Sequence, residues 1–396
     1  MQVPLLDLKA QLAPLREEIL REVTEVIDST CYIMGSRVEA LEKNIAGYCG
    51  TSHALGVSSG TDALLVALMG LGVGPGDLVL TTAYSFFATM GSVLRLGARP
   101  IFVDIDPVSF NIDPEKMAER LAADPEVTAR IKAILPVHLY GQCADMTRIL
   151  PLAKQYGIPV VEDAAQAIGA ACPFSAGGRT DWRRAGSMGA AGCFSFFPSK
   201  NLGGVGDGGM LVANDAALYE RMRIIRVHGD AGRYDHRVVG GNFRLDPLQA
   251  AVLNVKLGHL PAWHRARRRN AATYNRLFAE AGLIASGRVA PPRAVYEEQA
   301  VAGGEPEYHI YNQYVVRVAE RDALIEFLHR EGVGAAIYYP VPLHRQQCVA
   351  GLGYETISLP ETERAARETL ALPIYPELTE EMQTYVVERI GAFFRR

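Results

Sequence analysis

Short apolar runs recur between residues 53 and 213, at His53–Val57, Leu78–Thr82, Ile101–Val103, Ala133–Val137, Pro159–Val161, Gly192–Phe196 and Met210–Val212. Between several of them lie longer stretches with the apolar period of a helix, such as Thr61–Met69, Tyr84–Leu96 and Asp145–Tyr156. Brief, continuous apolar strands separated by helices predict an α/β fold. Its centre is a mostly parallel seven-stranded sheet with helices on both faces.

The texture changes after about residue 245. Asp246–Leu260 reads as a helix with Pro247 in its first turn, and a long Arg- and Ala-rich helix follows over Pro261–Ala281. Pro291–Pro306, rich in Pro, Gly and Glu, reads as an exposed loop. Beyond it the pattern predicts a strand (Asn312–Val318), a helix (Glu320–Glu331), a second strand (Gly334–Tyr339) and a C-terminal helix (Glu380–Phe394). We therefore expect a large domain over residues 1–260, with an N-terminal arm, and a smaller α+β domain over 261–396.

Composition narrows the function classes. Of 396 residues, 40 are Lys or Arg and 44 Asp or Glu, a formal charge of -4 that argues against a nucleic-acid-binding surface. The basic run Arg265, Arg267, Arg268 and Arg269 is expected to be a solvated helix face. There is no apolar stretch of membrane-spanning length, and the first residues lack a secretory pattern, so we expect a soluble cytoplasmic protein without membrane partners. Six scattered cysteines with no Cys-x-x-Cys pair fit reduced thiols, with neither a zinc module nor a disulfide framework.

Three segments carry candidate chemistry. Ser58-Ser59-Gly60-Thr61-Asp62 follows a strand and opens a helix, where small residues and the helix N-terminus suit an anion such as phosphate; a plain helix cap is the alternative. Glu162-Asp163 lies where a buried strand ends, the usual ligand edge of an open α/β sheet. A carboxylate there is stable when it meets a cation; an exposed cap is the alternative. In Phe194-Ser195-Phe196-Phe197-Pro198-Ser199-Lys200-Asn201-Leu202-Gly203-Gly204, Lys200 stands among apolar and glycine residues. Most of the other six lysines fall on polar helical faces. Such surroundings lower an amine's pKa and suit a Schiff-base nucleophile, the alternative being a snorkelling surface lysine. Gly204-Val205-Gly206-Asp207-Gly208-Gly209 matches a dinucleotide fingerprint in letters only, because it leads into a strand instead of a helix.

Taken in order, Ser-Gly-Thr-Asp-Ala, Val-Glu-Asp-Ala-Ala-Gln and Ser-Phe-x-Pro-x-Lys-Asn-Leu-Gly resemble the DegT/DnrJ/EryC1/StrS family of pyridoxal-phosphate (PLP)-dependent sugar aminotransferases, over nearly the whole chain. The resemblance implies the type I fold of PLP-dependent transferases. It implies Lys200 as the covalent anchor of PLP and proton carrier, and Asp163 as the partner of the pyridine nitrogen. Ser59, Gly60, Thr61 and Ser195 would hold the phosphate, Gln166 would lie near the phenolic oxygen or ring face, and Phe86 would stack on the ring, with Phe87 the neighbouring candidate. Asn242, in Gly-x-Asn-x-Arg-x-Asp, would reach the partner subunit's cofactor phosphate, implying a homodimer with shared sites.

For the substrate, a nucleotide-linked keto sugar, the resemblance implies His309, Tyr311, Tyr339 and His344 as pocket residues, with core packing as their alternative. Arg226, His228 and Arg233 are candidates for its diphosphate. The donor expected is an amino acid, L-glutamate by family habit, and the ketone is expected at C3 in preference to C4. A PLP-dependent dehydratase or lyase, and a non-enzymatic regulator on the same fold, are the competing readings. Pro173–Ala185 is longer than the pattern leads us to expect and has no assigned role.

Overall fold

Strands form at the seven apolar runs between residues 53 and 213 and within Asn312–Val318, and three more, at Ala171–Ala176, Arg179–Arg184 and Thr369–Leu372, arise where none was expected. In chain order they are β1 (His53–Val57), β2 (Leu78–Thr82), β3 (Arg99–Val103), β4 (Ile131–Leu135), β5 (Val161–Asp163), β6 (Ala171–Ala176), β7 (Arg179–Arg184), β8 (Ala191–Ser195), β9 (Gly209–Ala213), β10 (Tyr314–Arg317) and β11 (Thr369–Leu372). The computed structural model describes residues 1–177, 179–301 and 307–396.

Two ladders, β1-β9-β8-β5 and β3-β2-β4, are joined by parallel bridges Ile134↔Val160 and Val137↔Asp163. The spatial order is therefore β1-β9-β8-β5-β4-β2-β3. Only β9 runs against its neighbours, and the other adjacent pairs are parallel. Every residue of β2 and β9 is buried, as a sheet covered on both faces requires. The sheet core includes Leu55, Leu80, Ile134, Phe194 and Leu211, all at 0% exposure.

A second core gathers the C-terminal elements. β10 and β11 pair antiparallel, and helices Leu260–Glu280, Arg321–Arg330 and Glu380–Phe394 pack with them around Tyr274, Phe278, Phe327 and Ile390. Val3 joins this core, fully buried, through a parallel bridge to Val333, 330 positions further along.

Several expectations need correction. The helix expected over Asp246–Leu260 stops at Leu257, and a new one runs from Leu260 to Glu280. Pro261 explains the break: it donates no N–H and its ring crowds the carbonyl four residues back. Gly334–Tyr339 is not a strand; Ala336 alone bridges Ala371, and β11 takes its place beside β10. Part of the expected loop 291–306 is a short helix, Glu297–Val301, held because Tyr296 and Ala300 are buried against the protein; residues 302–306 lie outside those described.

Arg267 is not on a solvated face. It is 2% exposed, and its Nη1 donates to the Tyr311 and Ile374 carbonyls at 3.0 and 2.9 Å. The stretch 173–185 belongs mostly to the β6–β7 hairpin, which packs Phe174 and Trp182 on the sheet core and lays Arg183 over the Phe174 ring. All six cysteines are free.

Candidate active site

At the end of β5 successive side chains point to opposite sides. Glu162 turns inward: its carboxylate accepts from the backbone N–H of Gly186, Met188 and Gly189 and meets His138 Nε2 at 2.8 Å. Because His138 Nδ1 accepts from Ala144 N, Nε2 carries the proton and donates to Glu162. This pair anchors the two loops that flank β5. Asp163 turns the other way, into a cavity. Its Oδ2 accepts from Thr89 Oγ1 at 2.7 Å, its Oδ1 from Ala165 N at 3.3 Å, and Thr89 is bonded in turn to Ser85. Burial raises the Asp163 carboxyl, against the opposing effects of Thr89, Ala165 N–H and the Lys200 charge.

Lys200 follows β8 on a turn closed by Lys200 N to Phe197 O and Gly204 N to Phe196 O, both at 2.8 Å. Its side chain is partly accessible through the cavity, yet the protein around the amine lowers it to about 8; the nearby Asp163 charge offsets part of that effect. A larger fraction of neutral amine at working pH is what a nucleophilic lysine needs. The loop beyond is gripped from below by the helix Pro247–Leu257. Gln249 Oε1 accepts from Val205 N, and Lys256, which is buried and not on a polar face, donates to the Gly203 carbonyl at 2.7 Å.

Opposite lies the start of the helix Gly60–Gly70, capped by Ser59, whose Oγ accepts from Asp62 N. The Ser58 and Ser59 hydroxyls donate to Asp62, which orders the turn. Gly60 is required by close approach: a Cβ there would lie 2.6 Å from that of Ser195. The backbone N–H groups of this helix start, with the Thr61 and Ser195 hydroxyls beside them at the cavity, suit an anion. Gly60→Ala is expected to push the helix start away from Ser195, weakening retention of a phosphate-bearing ligand by about tenfold or more and lowering the melting temperature, as equilibrium dialysis and thermal unfolding would show.

These parts enclose one cavity of about 630 Å³. Ser59, Gly60, Thr61, Phe86, Asp163, Gln166, Ser195, Lys200 and Tyr339 line it, joined by Phe197, Ser199, Asp207, Gln313 and Tyr338.

A model of the DegT/DnrJ/EryC1/StrS aminotransferase family matches residues 14–391. The chain belongs to this family. The aminotransferase is 48% identical to a Geobacillus stearothermophilus protein named pleiotropic regulatory protein, over 100% of this chain and 99% of that one. It is 42% identical to the UDP-N-acetyl-3-dehydro-alpha-D-glucosamine 3-aminotransferase of Acidithiobacillus ferrooxidans, over 100% and 97%. Among solved structures, S. venezuelae DesV in complex with a ketimine intermediate superposes with TM-score 0.88 at 37% identity, covering 100% of this chain and 99% of DesV.

The aminotransferase depends on PLP, as its family does. The cavity residues suit that cofactor. Asp163 is a buried carboxylate matched to a cationic ring nitrogen, Lys200 is a depressed amine matched to an aldehyde, and the Gly60 turn is matched to a phosphate.

Not every expected residue meets there. Asn242 is exposed outside the cavity, its backbone bridging Val227. His309 is buried, stacked on Tyr311 at 3.8 Å, and burial pushes its imidazole down to about 3. Tyr311 is buried in the C-terminal core, and His344 is buried beside Phe102 with Nε2 3.3 Å from Glu363. None of these four lines the cavity of this chain. Arg226 is committed to Glu42 and the Gly56 carbonyl, so it is not free for a diphosphate; His228 and Arg233 lie on an exposed loop. Phe86 rather than Phe87 faces the cavity. The residues not foreseen are Ser85 and Thr89, which act on Asp163. Their one signal is a pair of hydroxyls four residues apart at a helix start that is otherwise apolar.

Proposed function

We propose that the enzyme transfers an amino group from an amino acid, L-glutamate in the first instance, to the ketone of a nucleotide-linked sugar. The observation that carries the transfer itself is the convergence of Lys200 and Asp163 on one cavity. The sugar is supported by the named activities of relatives, among them the 3-aminotransferase of Acidithiobacillus ferrooxidans and a Streptomyces venezuelae dTDP-3-amino-3,4,6-trideoxy-alpha-D-glucose transaminase. Both names specify C3, and we take C3 as the aminated carbon. A regulatory role, suggested by the name of the Geobacillus relative, has no need of a depressed lysine facing a buried carboxylate.

PLP supplies an electron sink that lets the donor's α-carbon lose its proton. In the reading we favour, Lys200 holds the aldehyde covalently and, once displaced, its amine moves the proton. Asp163, stiffened by Thr89 and the Ala165 N–H, keeps the ring nitrogen cationic. Gly60, Thr61, Ser59 and Ser195 hold the phosphate. Phe86 offers a flat apolar face at the cavity wall, and Tyr339, fixed by Gln166, lines the side open to the sugar. Asn242 serves a second copy of the chain. Phe86 and Phe197 at the cavity, with Phe87 and Val205 nearby in sequence, are 44–58% exposed and suit a covering partner in a homodimer.

The test is incubation of the enzyme with L-glutamate and a panel of 3-keto and 4-keto sugar nucleotides, with mass spectrometry of the products. A product in which the ketone of a 3-keto substrate has become CH–NH2 is expected. A product that has lost oxygen or water without gaining an amino nitrogen would point to dehydration, and turnover confined to 4-keto sugars would overturn the C3 assignment.

A further inference from the structure

Lys200 is followed by Asn201, which is 3% exposed and reaches the C-terminal half of the chain. Its Nδ2 donates to the Ile310 carbonyl at 3.0 Å. Since the partner is an acceptor, the amide nitrogen must face it, and Oδ1 is left buried without a donor among the described residues. An unpaired buried acceptor is destabilising, and here it offsets what the bond to the Ile310 carbonyl contributes. Asn201 therefore adds little net stability at this position, while its amide links the lysine turn to residues 309–312.

That segment is itself fixed. Ile310 N donates to the Gly141 carbonyl at 2.9 Å. Gly141 has φ +102, and a Cβ on it would lie 2.8 Å from Ile310 Cγ1 and 2.9 Å from Asn312 N. Arg267 holds the Tyr311 carbonyl from the other side. Next to Gly141, Tyr140 N donates to Gln166 Oε1 at 2.7 Å, and Gln166 Nε2 donates to Tyr339 Oη at 2.9 Å. The contacts close a ring. It leaves the cavity at Lys200, passes through Asn201, Ile310, Gly141 and Tyr140, and returns to the same cavity at Gln166 and Tyr339.

We infer that Asn201 is a positioning residue: its amide ties the lysine-bearing turn to segment 309–312, so that the amine of Lys200 and the Gln166–Tyr339 wall keep one spacing. The inference rests on Lys200 binding PLP and is independent of which sugar or donor the enzyme uses.

The experiment compares Asn201→Leu, Asn201→Asp and Asn201→Gln with the parent protein. Four quantities are read: the melting temperature of the cofactor-free protein, the pH midpoint for capture of added PLP by absorbance, and kcat and KM of the half-reaction with L-glutamate. Asn201→Leu removes the unpaired Oδ1 but leaves the Ile310 carbonyl without its donor, so it is expected to melt within about 3 °C of the parent. Its PLP-capture midpoint should rise from about 8 toward the ordinary lysine value. Its kcat should fall about 10- to 100-fold with KM nearly unchanged. Asn201→Asp, which cannot donate while ionised and adds a buried charge, should lose rate alike but melt well below the parent, and Asn201→Gln should recover most of the rate. An unchanged midpoint with kcat within about twofold of the parent would overturn the inference. So would a large fall in melting temperature with no change in midpoint, which would mark Asn201 as merely structural.

Discussion

Lys200→Ala should abolish transamination, by about 10⁴-fold or more, because one side chain both captures PLP and moves the proton. The purified variant should lack the visible absorbance of a lysine-bound cofactor, yet its melting curve should match that of the parent without PLP. The parent carries its own pH signature. With the amine lowered to about 8 by burial, its neutral, nucleophilic form is full above that pH and falls about tenfold per unit below it. Capture of PLP by cofactor-free protein, followed by stopped-flow absorbance, should track that slope. A midpoint near the ordinary lysine value would show that the amine does not reside in the enclosed position described.

Asp163→Asn should lower kcat by roughly 10²- to 10³-fold, the range seen when one preorganised electrostatic partner is removed from a site. The substitution is nearly isosteric and removes a charge that burial already disfavours, so the folded state should lose little. PLP should still bind covalently through Lys200. The measurement is the rate of the half-reaction with L-glutamate in single turnover, compared with the PLP dissociation constant. A variant that loses PLP but retains its chemical rate would assign Asp163 to binding alone. Thr89→Val, which removes the hydroxyl on Oδ2, should produce a smaller loss in the same direction.

What the sequence made legible was chemistry borne by single residues at the ends of strands. A lysine among apolar and glycine residues, an acidic pair after an apolar run and a Ser-Gly-Thr helix start all sit where the backbone direction is set locally. Those segments duly meet in one cavity. Contacts made across long separations were not legible. Arg267 reads as one of four arginines on a polar helix, and only the packed molecule supplies the Tyr311 and Ile374 carbonyls that draw it inside. His344 finds Glu363 on a helix that the highly charged sequence Pro360–Glu368 does not announce as half-buried. The strand expected at Gly334–Tyr339 has the right apolar residues. The partner edge there goes instead to Thr369–Leu372, a run too short to stand out between a charged helix and Pro373.

The bridge between Val3 and Val333 has a consequence for how the molecule is made. Val3 pairs with Gly332 to Gly334, some 330 positions further along, so this apolar segment must wait unpaired while the whole sheet region between them is made. Contacts of such high sequence separation form late and slowly. Docking of the Val3 segment on this core is therefore expected to be a late event of folding, and until then the segment is the part most in need of a chaperone.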